Sequence, residues 1–154
     1  ELSDIAKEER LTKLFKAYVD ARWMGGFVLG KYGRQATEEQ KERFFSMYQD
    51  YLLLSYVPRF REYKGGDIDV LRIQETGKGE YVVSSIVKSG NGDADIRLDY
   101  RLVEKDDTFK INDLVGEGVS LITTQRSDFG GLISRKGLDF FLDKLEQKIK
   151  TMSK

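Results

Sequence analysis

The residues able to do chemistry in this chain are carboxylates, Lys, Tyr and hydroxyls, because its 154 residues include no His and no Cys. That removes imidazole bases and ligands, thiol nucleophiles, thiolate metal sites and disulfides, and with them ordinary serine triads, zinc hydrolases and haem proteins. Three carboxylate pairs, Asp67 with Asp69, Asp93 with Asp95 and Asp106 with Asp107, have the spacing of acid/base or hard-metal sets. Each falls at a turn or strand end, where Asp is frequent because its side chain hydrogen-bonds the local backbone. Asp67, Asp69, Asp95 and Asp99 are therefore read as a solvated sheet face. Ser120, Thr123, Thr124 and Ser127 cluster at the start of an expected helix; without His a nucleophile there would need a Lys, whereas caps need nothing else. The glycines at 116 and 118, 25 and 26, and 130 and 131 match neither the dinucleotide-fold nor the phosphate-loop spacing, so tight turns and close packing account for them. The residues thus point to no catalytic group, no metal site and no cofactor.

Charge narrows the classes further. Twenty-six Lys and Arg balance 26 Asp and Glu with the signs interleaved, so no basic stripe is available to neutralise phosphates and nucleic-acid binding is not expected. Hydrophobic residues make up 40% and aromatics 12%, which is too apolar for disorder, and no run approaches the roughly 20 residues that span a bilayer. The length predicts a single domain over 1–154, able to bury about 70% of its surface without disulfide or metal staples. Because residue 1 is Glu, the chain is expected to begin inside a longer precursor, with a signal peptide and a first helix lying outside it.

The elements that must position any site follow from periodicity. Ile5, Leu11, Leu14, Phe15 and Tyr18 recur at three and four, predicting an amphipathic helix from Ser3 to Tyr18. Ala21 to Tyr32 is more apolar and carries Gly25, Gly26 and Gly30, predicting a short buried helix or two turns with a break. Thr37 and Gln40 form a capping box that starts the longest helix, which runs to about Tyr63, is bent by Pro58 and stops at Gly65 and Gly66. The pattern then alternates: Asp67 to Gln74, Glu80 to Lys88, Asp95 to Val103 and Thr108 to about Val115 predict a four-stranded antiparallel meander, turned at 77–79, at Gly90 to Gly92 and at 105–107. Ile96, Leu98, Tyr100 and Leu102 alternate with charged residues, giving one apolar and one wet face. Val119 to Ser134 and Leu138 to Ile149 predict two last helices parted at Gly137. The layout is α+β, with helices over one face of a curved sheet. The aromatic and aliphatic content of the long helix, together with Trp23, Phe27, Val28, Leu29 and Tyr32, leaves two readings open: a filled core, the commoner fate of an apolar stripe, or an apolar cavity in the cup of a curved sheet and a long helix.

Two segments carry a resemblance. Residues 27–44, FVLGKYGRQATEEQKERF, and 116–138, GEGVSLITTQRSDFGGLISRKGL, resemble the two most characteristic blocks of the MlaC, or toluene-tolerance, family of periplasmic phospholipid-binding proteins. The order of helix, sheet and paired last helices agrees from about Ala21 onward. Two departures stand out: Gly33 where the family usually has a second aromatic, and the lack of a helix before Ser3 that many members have.

The resemblance implies an NTF2-like cone whose four-stranded curved sheet packs against a long helix and flanking helices around an internal apolar cavity. It implies a monomeric, non-enzymatic carrier in the periplasm, with bound glycerophospholipid as cargo. Its partners would be an outer-membrane lipoprotein complex and an inner-membrane ABC transporter with an MCE-domain component, and its role the maintenance of outer-membrane lipid asymmetry. On that reading Phe27, Leu29, Tyr32, Phe45, Tyr48, Leu52, Tyr56, Leu98, Tyr100, Val119, Ile122, Phe129, Leu132 and Ile133 face the acyl tails. Two other readings compete: an NTF2-like protein-interaction adaptor or small-molecule-binding domain without lipid, and an isomerase, which would need a carboxylate on the apolar sheet face where none is evident.

Overall fold

The structure, a computed structural model, describes residues 3–62, 68–88 and 94–153. Its elements are α1 (Asp4–Tyr18), α2 (Ala21–Leu29), α3 (Lys31–Gln35), α4 (Glu38–Glu62), β1 (Ile68–Gly77), β2 (Glu80–Val87), β3 (Ile96–Lys105), β4 (Thr108–Gly116), β5 (Val119–Ser120), α5 (Leu121–Lys136) and α6 (Leu138–Met152). They fall into two compact units, one of residues 1–20 and 59–121, the other of residues 21–58 and 122–154.

The first unit is built on the sheet, whose order β1-β2-β3-β4-β5 is antiparallel throughout. Lys78 and Gly79 join β1 to β2, with Gly79 alone at positive φ, 74. Asp106 and Asp107 join β3 to β4 with φ 54 and 63, and Glu117 and Gly118 join β4 to β5 with φ 49 and 82. In these last two turns, positive φ at both central residues is the type I′ geometry, whose twist matches that of the flanking strands. The Glu117 turn corrects one expectation: Val119 and Ser120 fold back on Val115 and Gly116 as a fifth strand, so the helix starts at Leu121 and not at Val119. Helix α1, capped by Ser3 Oγ accepting from the Ala6 amide, joins this unit through its C-terminal end. Val19 bridges Ile111, the Asp20 amide donates to the Ile111 carbonyl at 2.9 Å, and Lys105 pairs with Asp20 at 3.1 Å. The stripe predicted on α1 is not buried as a whole: Ile5, Leu14 and Tyr18 are exposed.

The second unit is helical. α2 breaks at Gly30, whose φ of 55 suits glycine, and α3 follows it. The capping box of α4 forms as expected: the Thr37 amide donates to Gln40 Oε1 at 2.9 Å and the Gln40 amide to Thr37 Oγ1 at 3.1 Å. α4 continues in helical backbone to Glu62; the side chain of Pro58, the stop at Gly65 and Gly66, the turn at Gly90 to Gly92, and Asp67 and Asp93 lie outside the described residues. Phe44, Tyr48 and Leu52 of α4, Met24, Val28 and Leu29 of α2, Ile122 and Ile133 of α5, and Phe141, Leu142 and Leu145 of α6 form the core. Gly25 lets α2 pack closely, since a Cβ there would meet the Phe44, Phe45 and Tyr48 rings at 3.1–3.2 Å. On the outside, Arg43 of α4 pairs with Asp143 at 3.0 Å, and Gln40 donates to Asp139 at 2.9 Å, fixing α4 against α6.

The Asp106–Asp107 turn holds two non-glycine residues at positive φ, which costs each about 1 kcal/mol relative to a residue suited to it. Replacing the pair by Asn-Gly is expected to raise the thermal midpoint by about 2–4 °C, and Asp107→Val to lower it by at least as much, both read by circular dichroism.

Candidate functional site

The face on which each strand residue lies follows from the registers. Ile68 pairs with Val87 and that with Ile96; Val70 pairs with Ser85 and that with Leu98; Ile73 pairs with Val83, that with Tyr100, and that with Leu114. These rows lie on one face, joined by Tyr81 opposite Leu102, by Ile111 opposite Leu102, and by Phe109, whose ring meets Tyr81 edge-on at 5.6 Å. Asp69, Arg72, Arg97, Asp99, Arg101 and Asp113 lie on the other.

Two bulges make this segregation possible. Leu71 is unpaired between Val70 and Arg72, so the alternation of β1 changes phase and Ile73 joins Ile68 and Val70 on the apolar face. Asn112, unpaired between Ile111 and Asp113, does the same in β4, putting Leu114 with Ile111 and Phe109 while Asp113 turns to the charged face. The apolar face is only partly covered. Ile68, Val70, Ile73 and Ile96 are 50%, 59%, 67% and 51% exposed, and Phe109 is exposed as well. Four neighbouring aliphatic side chains held open to water on a paired sheet form a patch of the kind that marks a binding surface, because each lost burial forgoes about 1.5–3 kcal/mol. Ser85, fully buried on the same face, donates to the Leu98 carbonyl at 2.6 Å, so its hydroxyl brings no unpaired polar group there.

The charged face carries a residue that the sequence reading passed over. Asp113 is buried, and its carboxylate accepts from the Leu114 amide at 2.8 Å and from Ser120 Oγ at 2.5 Å, with Arg101 at 3.9 Å. The Ser120 hydroxyl, read as a cap, thus tethers β5 to β4. Its position on the face away from the aliphatic rows gives Asp113 a structural role and does not supply the carboxylate an isomerase would need.

The expected tail-facing residues divide between the units. Leu98 and Tyr100 are half-buried on the apolar sheet face, and Val119 is exposed in β5. In the helical unit Leu29, Tyr48, Leu52, Ile122 and Ile133 are buried in the core, while Tyr32, Phe45, Tyr56, Phe129 and Leu132 are half-buried. Tyr48 stacks on Phe44 at 5.4 Å and donates to Gln125 Oε1 at 2.6 Å. Phe129 bridges Tyr51 at 5.9 Å and Phe141 at 5.0 Å, and Phe45 lies under the Arg22 guanidinium at 4.5 Å. Phe27 stacks on Trp23 at 5.9 Å and carries the Arg126 guanidinium 4.9 Å above its ring. Arg22 also binds Glu42 at 2.7 Å; that hydrogen bond, then its charge, holds the Glu42 carboxyl below and the guanidinium above its ordinary value. That Ile73 shares a face with Ile68 and Val70 was missed because a bulge is not visible as alternation, though the phase break in Val70–Leu71–Arg72–Ile73 is its trace.

Comparisons with known proteins bear on this arrangement. The model of the MlaC protein family matches residues 3–147. The intermembrane phospholipid transport system binding protein MlaC of Haemophilus influenzae is 27% identical over 133 residues, which are 84% of this chain and 62% of that protein, so the chain spans less than two thirds of the curated relative's length. Among solved structures, the phospholipid-binding protein from Ralstonia solanacearum in complex with a phospholipid shares the fold, with a TM-score of 0.83 at 19% identity over 98% of this chain and 87% of that one.

The buried Tyr48–Gln125 bond gives a direct check on the helical core. Tyr48→Phe is expected to leave Gln125 unpaired and cost about 1–3 kcal/mol in urea unfolding, and adding Gln125→Leu to recover part of it.

Proposed function

Since this chain belongs to the MlaC family, we propose that it is a phospholipid-binding carrier that holds acyl tails against the apolar face of its sheet. The observation that supports this most is the exposed aliphatic patch of Ile68, Val70, Ile73 and Ile96, gathered on one face by the bulge at Leu71, which turns Arg72 to the other. The names of the relatives point the same way, since one is a phospholipid transport system binding protein and the other holds a phospholipid.

The energetics dictate how such a carrier works. Two acyl chains contain about thirty methylenes, and at about 0.8 kcal/mol each their exposure to water would cost more than 20 kcal/mol. Release into water followed by recapture is therefore too slow to serve as a transfer step. The protein must offer the tails a surface nearly as favourable as the bilayer, and cargo must enter and leave while the carrier is docked. Leu98, Tyr100 and the β1 aliphatic residues are the sheet's contribution to that surface. Aliphatic groups and aromatic rings recognise methylenes without directional bonds, so tails of different length and saturation are accommodated. The reaction is binding and release, with no covalent step.

The carrier works in the periplasm, exchanging glycerophospholipid between an outer-membrane lipoprotein complex and an inner-membrane ABC transporter with an MCE-domain component. No helix among the described residues is long and apolar enough to cross a membrane, and no cluster of three or more Asp or Glu among them could hold a metal ion. Leu29, Tyr48, Leu52, Ile122 and Ile133 are core residues of the helical unit, and their role is to hold its helices together.

Native mass spectrometry of protein purified without detergent from a bacterial host is expected to show adducts at phospholipid masses. Ile73→Glu and Leu98→Glu place a charge where tails would lie; Ile73 is exposed, so its variant should keep a native circular dichroism spectrum while bound lipid falls at least about tenfold. Unchanged lipid content in both variants, or no loading of wild-type protein from liposomes, would overturn the reading in favour of an adaptor without lipid.

A further inference from the structure

The aromatic stack of the helical unit carries an exposed surface of its own. Trp23, 47% exposed, stacks on Phe27, and the Arg126 guanidinium covers Phe27 from the other element. The guanidinium also lies against Gly30, where a Cβ would stand 3.0–3.1 Å from its atoms. A ring on one side and bare backbone on the other hold this cation in place. Arg126 forms no ion pair among the described residues, nor do Lys31 and Arg34, which follow Gly30 within one turn and a half.

The surrounding sequence is equally biased. From Ala21 to Ala36 there are three cations, Arg22, Lys31 and Arg34, and no Asp or Glu, in a chain whose net charge is zero. Arg22 is committed to Glu42, and Glu38 at the start of α4 is committed to Lys41 at 2.8 Å. Asp128, two residues beyond Arg126, lies on a different side of α5 by helical geometry. An exposed indole beside unpaired Lys and Arg is the chemistry of a bilayer interface: the ring sits at headgroup depth, and cations meet phosphates, an attraction worth about 1 kcal/mol per basic residue.

We infer that Trp23, Arg126, Lys31 and Arg34 form a docking patch for an anionic phospholipid surface, with Arg126 taking a lipid phosphate and Trp23 the interfacial layer. The patch lies wholly on the helical unit, and acts when the carrier rests on a membrane. Planar guanidinium geometry suits a phosphate better than an ammonium would, which is why Arg126 and not Lys31 is the anchor.

Vesicle flotation with Trp23 fluorescence tests this, because Trp23 is the chain's only tryptophan. The protein is expected to float with phosphatidylcholine vesicles containing phosphatidylglycerol, with a blue shift in emission, and to stay behind with pure phosphatidylcholine. Arg126→Gln, and separately Lys31→Glu with Arg34→Glu, are expected to reduce flotation about tenfold. Phospholipid retained by each variant after loading from detergent-solubilised phosphatidylglycerol and removal of the detergent should equal that of the wild type, because this loading bypasses any membrane surface. No flotation with anionic vesicles would overturn the inference, even with cargo present. So would an emission change produced equally by inorganic phosphate without flotation, which would mark a general anion site. Failure of Arg126→Gln to retain lipid loaded from detergent would also overturn it, by assigning the patch to the cargo site.

Discussion

Two unpaired residues, Leu71 in β1 and Asn112 in β4, decide the character of the sheet. A strand alternates strictly, and a shift by one residue sends every following side chain to the opposite face. Without Leu71 as an extra residue, Ile73 would lie with Asp69 and the charged residues, and Arg72 would lie with Ile68 and Val70. Without Asn112, Asp113 would lie on the same face as Ile111 and Phe109, beside the rows of Leu98 and Tyr100. Each bulge gives up one rung of the ladder, and in return Arg72 and Asp113 leave the face of the aliphatic rows, whose two charges, Glu75 opposite Tyr81 and Glu104 opposite Phe109, lie towards the turn ends of the strands. The hydroxyl of Ser85 stays on that face because the Leu98 carbonyl accepts its hydrogen bond.

What the charged face does follows from the same shift. Asp113, turned there, becomes a buried carboxylate that needs partners, and the Glu117–Gly118 turn supplies one by bringing Ser120 back against β4. The amide of Arg97 donates to the Glu117 carboxylate at 2.7 Å, and the Glu117 amide to the Arg97 carbonyl at 2.9 Å, so the turn is also held to β3. The hydroxyl-rich segment after the sheet is therefore part of the sheet's own fastening. Its first member is consumed by Asp113 and is not available as a nucleophile.

Much of this was legible in the sequence. Helix and strand spacing placed all the long elements, the Thr37–Gln40 box formed as read, and the glycines between Ala21 and Tyr32 offered a break and close packing, which the structure puts at Gly30 and, against rings and not backbone, at Gly25. These features depend on residues near one another in the chain. The fifth strand was not legible, because Val119 and Ser120 have the composition of a helix start and are turned into a strand only by pairing with Val115 and Gly116. The β1 patch was not legible because burial is a property of neighbours: Ile68, Val70 and Ile73 read as an ordinary strand, and nothing local says that they stay exposed. The expected tail-facing set favoured large side chains on helices, and large side chains at helical spacing are also what a core is made of.

That ambiguity has a physical resolution in the way the two kinds of apolar surface are stabilised. Phe44, Tyr48, Leu52, Phe141 and Leu142 are held by contacts within the helical unit, with stacking distances of 5.4–6.0 Å and a buried hydroxyl satisfied by Gln125. Their burial is complete with no ligand present, so it contributes to folding and leaves little free energy to drive binding. The β1 aliphatic residues are in the opposite position. Their backbone is fixed by pairing with β2, so little conformational entropy remains to be lost, while their side chains still face water. Apolar surface that is already ordered and still wet retains its hydrophobic free energy for whatever covers it, whereas the helical core has already released its own in folding.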